Sequence, residues 1–133
     1  MGTWGYRFGE NDGAADWLRD FEASPSWNKV HHAFDAIPVG ANGYAEVDEC
    51  AAAIAAAEIV AAGLGHPSTG LSASVAQWAI KHKDGTEKLT TQAQRTVAYL
   101  VDHGELSELW NEGGNPPHEW LATMDDLLTR LRT

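Results

Sequence analysis

The chain has 133 residues, a size typical of one domain and large enough to bury a core. Its hydrophobic fraction of 44% and charged fraction of 21% exclude a disordered chain, and its six tryptophans supply large burying side chains. Nine Lys and Arg against 19 Asp and Glu give a net charge of −10, which argues against nucleic acid or an anionic membrane surface as partner and suits a basic protein, or solubility alone.

The first nine residues set Gly2, Gly5 and Gly9 between Trp4, Tyr6 and Phe8. This reads as an irregular arm whose aromatics dock on the core, with a short strand as the alternative. No basic start precedes an apolar stretch, so no signal peptide is expected, and Tyr6 stands where a myristoylation signal needs Ser or Thr. Asn11 or Asp12 caps a first helix with Ala14, Trp17, Leu18 and Phe21 on one face. Ser24-Pro25-Ser26 punctuates the chain, and Trp27, Val30, Phe34 and Ile37 then recur at steps of three and four. Pro38 and Gly40 end that helix, and Asn42-Gly43 turns the chain.

Glu46, Asp48 and Glu49 crowd the first turn of a third helix, where carboxylates meet the positive end of the helix dipole. Alanine dominates it to Ala62, and Val47, Cys50, Ile54, Ala57 and Ala61 form a thin apolar stripe. A narrow helix lets neighbours approach closely, which places it at the centre of the bundle. Cys50 is the only cysteine and reads as a small buried side chain in a reducing, cytoplasmic setting. The run Ala51 to Ala62 is too short to span a bilayer and carries Glu58. Gly63 and Gly65 stop the helix ahead of Pro67.

Ser72 begins a fourth helix with Val75, Trp78, Ala79 and His82 as inward candidates. Asp84-Gly85 predicts a turn, and Thr90 or Thr91 then caps a fifth helix with Ala93, Val97, Leu100 and Val101. Gly104 breaks it, Leu106, Leu109 and Trp110 form a further turn or two, and Gly113 to Pro117 is a loop. The last helix carries Trp120, Leu121, Met124, Leu127, Leu128 and Leu131. No linker or repeat divides the chain. The expected fold is all-α: one bundle of six or seven short helices over residues 1–133, with an irregular glycine and aromatic N-terminal arm.

Several segments together resemble one bacterial family. Met1-Gly2-Thr3-Trp4-Gly5, Phe8, Glu10-Asn11-Asp12 and Ala15-Asp16-Trp17-Leu18 look like its N-terminal signature. Residues 53–62, ending Ala-Ala-Glu-Ile-Val-Ala-Ala, look like its alanine-rich segment, and Ser107-Glu108-Leu109-Trp110 with Leu127-Leu128-Thr129-Arg130-Leu131 look like its tail. The family is the domain of unknown function 4259. The resemblance covers most of the chain and implies a single domain without an established activity. It also implies kinship with small bacterial proteins of the kind found beside toxin genes.

No cofactor, metal or catalytic constellation emerges from the residues. His31 and His32 are adjacent and so face different ways, and no histidine pair has the i, i+4 spacing of a helical zinc site. His118-Glu119 lacks the second histidine of the protease motif, no serine sits in a Gly-x-Ser-x-Gly elbow, and burial would dull Cys50. Glu58 is the only ionisable group between Cys50 and His66. A buried carboxylate needs hydrogen-bond donors, so a tie to a tryptophan N–H, to arm backbone or to Arg7 is expected. Asn11 and Asp12 read as structural caps.

The charge pattern is the better functional clue. Thr96 to Thr129 holds no Lys or Arg but contains Asp102, Glu105, Glu108, Glu112, Glu119, Asp125 and Asp126. Glu105, Glu108 and Glu112 fall at i, i+3 and i+7, which a helix would stack on one face beside Trp110. The reading is a non-enzymatic binding domain whose Asp102, Glu105, Glu108, Trp110 and Glu112 meet a basic protein, in the manner of an immunity or antitoxin-like inhibitor. One alternative is a small-ligand or hydrolytic cleft between the arm and the alanine helix, holding Glu58 and Asp12. Another is an oligomeric scaffold.

Overall fold

Eight of the 17 residues of the third helix are alanine, and this decides the architecture. A computed structural model describes residues 12–37, 47–67, 71–102 and 118–132. Among these residues there are six α-helices and no strand: α1 (Asp12–Ala23), α2 (Trp27–Asp35), α3 (Val47–Gly63), α4 (Ala73–Lys81), α5 (Asp84–Asp102) and α6 (His118–Arg132). The helix α3 packs against each of the other five. Cys50, Ala51 and every residue from 53 to 63 are buried, so the helix has no solvent face along most of its length. The expected thin stripe is therefore too narrow. A helix enclosed on all sides needs apolar residues all round, and alanine provides them at small radius.

The other helices follow their stripes. Phe21, Val30, Phe34, Val75, Ala79, Ala93, Val97, Leu100, Met124, Leu127 and Leu131 are buried in one core. Trp17, Leu18, Trp27, Trp78, Val101 and Leu128 pack on it half-buried. Ser26 caps α2 by accepting from the Asn28 N–H, and Ser72 caps α4 by accepting from the Val75 N–H. The end of α3 is a Schellman turn. Gly65 adopts φ +95°, its N–H donates to the Ala62 carbonyl, and the His66 N–H donates to the Ala61 carbonyl at 2.9 Å. No helix among the described residues is long and apolar enough to cross a membrane.

Two expectations fail between α4 and α5. The turn lies at His82 and Lys83, and α5 already begins at Asp84 and runs on through Thr90 and Thr91 without a break. Asp84 and Glu87 sit in its first turn, where the dipole favours acids, while its last turn carries no basic residue. Thr90 Oγ1 bonds back to the Thr86 carbonyl at 2.8 Å, so the hydroxyl is satisfied inside the helix rather than at a cap. Gly85 is required by packing, not by a turn: the Trp27 ring lies where its Cβ would be. Trp27 Nε1 donates to the His82 carbonyl at 2.9 Å and fixes the ring there. His82 is exposed rather than inward, stacked on Trp78 with ring centroids 4.7 Å apart. The N-terminal arm, Asn42-Gly43, Leu106 to Trp110 and Gly113 to Pro117 fall outside the described residues.

An alanine in place of a helical glycine normally adds up to about 1 kcal/mol. Gly85→Ala is expected to do the opposite and lower stability by about 1–3 kcal/mol, because the new methyl displaces the Trp27 indole. Urea unfolding with near-ultraviolet circular dichroism checks this. An unchanged midpoint and an unchanged tryptophan signal would contradict the close approach.

Candidate functional site

One carboxylate interrupts the apolar wall of α3. Glu58 is 1% exposed, and Arg130 from the last turns of α6 reaches it in a two-pronged contact. Nη1 donates to Oε1 at 2.6 Å and Nη2 donates to Oε2 at 3.0 Å. The Nε donates to Asp126 Oδ2 at 2.8 Å, one turn back on α6. Nη1 also donates to the His66 carbonyl at 3.2 Å, and the Schellman turn at Gly65 places that carbonyl. The guanidinium thus joins α3, the turn that ends it, and α6.

Burial pushes the Glu58 carboxyl above the usual carboxylate range, the hydrogen bond and charge of Arg130 pull it back in part, and Asp126 adds a smaller upward push. On Arg130 burial pulls downward, but the hydrogen bonds and charges of Glu58 and Asp126 outweigh it, so its pKa is raised. The two partners differ in what dominates: desolvation on the acid, pairing on the base. Both Glu58 oxygens accept from N–H donors, so the geometry is that of a carboxylate on a guanidinium. The carboxylate is 1% exposed, and its contacts with Arg130 link α3 to α6.

The expected partners of Glu58 were a tryptophan N–H, arm backbone or Arg7. The partner is Arg130, 72 residues away. Sequence reasoning missed it because Arg130 sits in the last turn of an amphipathic helix, a place where cations usually favour the dipole. One signal was available: Arg130 is the first cation after the run from Thr96 to Thr129.

A cleft lies beside α3 on the side of α1 and α2. It has a volume of about 360 Å³ and is lined by Trp17, Lys29, His32, Ala33, Ala36, Glu49 and Ala52. The arm that would border the expected cleft around Glu58 and Asp12 lies outside the described residues. A second polar cluster bridges α2 and α5. His31 Nε2 contacts Asp35 Oδ2 at 3.1 Å, His31 Nδ1 meets Gln92 Oε1 at 3.0 Å, and Gln92 Nε2 donates to Asp35 Oδ1 at 3.4 Å. His31 thus faces α5 while His32 lines the cleft beside α3. No group of three His, Cys, Asp or Glu side chains suited to a metal ion gathers among the described residues.

Of the other residues singled out, Asp12 is the first residue of α1 and Asp102 the last of α5. Asn11, Glu105, Glu108, Trp110 and Glu112 lie outside the described residues. Residues 2–123 match the family model "Domain of unknown function (DUF4259)", and the chain belongs to that family. No curated protein and no solved structure matches this chain.

Breaking the buried pair from one side leaves a charge without its partner. Arg130→Met is expected to cost about 3–5 kcal/mol, whereas Glu58→Met with Arg130→Met should recover most of that loss. A double-mutant cycle in urea checks it, and single substitutions that cost less than about 1 kcal/mol would remove the pair from its structural role. The acid also has a pH signature. Because its folded-state pKa lies above the ordinary value, the folded chain binds this proton more tightly than the unfolded chain. As pH falls through the folded pKa toward the ordinary carboxylate range near about 4.3, the wild type should gain stability relative to Glu58→Gln. A relative loss over that window would mean that pairing with Arg130 outweighs burial.

Proposed function

We propose that this member of the DUF4259 family is a non-enzymatic protein-binding domain that takes a basic protein on the acidic stretch following α5. The concrete form is an immunity or antitoxin-like inhibitor, with Asp102, Glu105, Glu108, Trp110 and Glu112 as the contact residues. The observation that supports it is the fate of Arg130. From Thr96 to Thr129 the chain has no Lys or Arg, and the first cation beyond it is drawn inward to Glu58, its side chain 16% exposed. Its nearest acidic neighbour, Asp126, is held by the same guanidinium. The first cation after the acidic stretch is thus committed to the interior, which withholds one counter-charge from the stretch and favours an incoming cationic surface. Trp110, among those acids, supplies an aromatic anchor of the kind that dominates interface energetics.

The wild-type chain, used as bait at low ionic strength, is expected to capture a basic protein. Association of that purified protein should slow at least about tenfold for Glu105→Lys, Glu108→Lys and Glu112→Lys together, and its salt dependence should flatten. Stopped-flow mixing at about 50 and about 500 mM salt measures both. Capture of no basic protein, or an unchanged rate in the triple variant, would refute the reading.

A further inference from the structure

We propose that the cavity between the first turns of α2 and α5 binds a small aromatic carboxylate. The cavity has a volume of about 380 Å³ and is lined by Trp27, Asn28, His31, Gly85, Lys88 and Leu89. Small-molecule sites begin at about 300 Å³, and a void of about 150 Å³ already holds benzene. A ring system the size of indole with a short acid arm therefore fits. Its apolar wall is fixed before any ligand arrives. The Trp27 ring lies where a Gly85 Cβ would be, its Nε1 donates to the His82 carbonyl at 2.9 Å, and it meets Trp78 with ring centroids 4.9 Å apart. Leu89 is buried, and His31 is held through both ring nitrogens by Asp35 and Gln92. A wall already in place receives a flat ring at little ordering cost.

Charge selects the rest of the ligand. The cleft at Trp17 includes Glu49 and the groove at Phe34 includes Asp35, whereas this cavity has Lys88 and no carboxylate among its lining residues. What sets Lys88 apart from the exposed Lys81, Lys83 and Arg132 is its place beside an indole ring, since none of those three lines any of these hollows. Trp27 and Asn28 open α2, whose first turn holds no acid, and Gly85 is the second residue of α5. Both helix dipoles are therefore positive at the cavity. Asp84 and Glu87 in the first turn of α5 are not lining residues. A ring laid on Trp27 and Leu89, with its carboxylate on the Lys88 ammonium and the Asn28 carboxamide, matches both the apolar and the charged part of the lining. One cation selects one negative charge.

The probe is indoleacetate, with the neutral indoleacetamide and the cationic tryptamine as matched comparisons. Each is titrated to about 10 mM into the isotope-labelled full chain at about 50 mM salt and followed by nuclear magnetic resonance. The Trp27 indole N–H, assigned by its loss in Trp27→Phe, and the Lys88 and Leu89 amides are expected to shift saturably with a Kd of about 0.1–1 mM. Indoleacetamide should bind at least about fivefold more weakly, and tryptamine at least about tenfold. Lys88→Glu should weaken indoleacetate at least about tenfold, whereas Lys83→Glu, the same change of net charge outside the cavity, should stay within about twofold. Both positions are exposed, and far-ultraviolet circular dichroism establishes that both variants keep their helices. No saturable shift at Trp27, an amide or amine that binds as tightly as the acid, or a Lys83→Glu variant weakened as much as Lys88→Glu would each overturn the site. The acidic stretch takes no part in it, so this result and capture of a basic protein are independent.

Discussion

Five helices can surround a sixth only where the enclosed one is thin. In α3 the side chains between Cys50 and Gly63 are mostly methyl groups, and the surrounding helices bring the large ones: Phe21, Val30, Phe34, Leu100, Met124, Leu127 and Leu131. A leucine in place of any central alanine would have to push a neighbouring helix outward, because interiors are packed at crystal-like density. The same closeness explains the approach of Thr86 to Gly63, where a Cβ on the glycine would collide with the threonine side chain. The Thr86 hydroxyl is buried at that crossing without a hydrogen-bond partner among the described residues.

Glu58 is the exception that this crowding has to accommodate. A buried ion pair adds little net stability over an apolar pair of similar volume, so stability alone does not account for it. Its physical effect is on alternatives. If α6 slid one turn along α3, Arg130 would leave Glu58 and the His66 carbonyl, and a buried carboxylate would stand alone. That penalty is about 3–5 kcal/mol, comparable to the loss of one buried leucine, and it disfavours the shifted docking of the last helix.

Much of this was legible locally. Ser26 and Ser72 are helix caps with serine's ordinary chemistry, Gly65 is the left-handed stop after α3, and the stripes of α1, α2 and α6 name their own buried faces. The misreadings share a cause. Asp84-Gly85 has turn composition, but acids at a helix start and the Trp27 ring over Gly85 favour a helix there. The α3 stripe looked thin because one helix cannot reveal how many neighbours enclose it. The partner of Glu58 was hidden by 72 residues of intervening chain, since no local rule pairs a mid-helix acid with a cation in the last turn of another helix. The acidic stretch from Glu105 to Glu112 remains a sequence argument, resting on its spacing and its lack of cations.

The helix α5 runs unbroken for 19 residues and ends at Asp102 with no basic residue in its last turn. Its aligned peptide units leave roughly half a negative charge at that end. A lysine or arginine in the last turn would blunt this pole; here the last residue of the helix is an aspartate and more acids follow in the chain. The backbone and the side chains therefore add with the same sign, and the potential there exceeds what the side-chain charges alone would produce. Mutating the acids one by one would leave part of that attraction for cations in place, because the pole belongs to the main chain and no single substitution removes it.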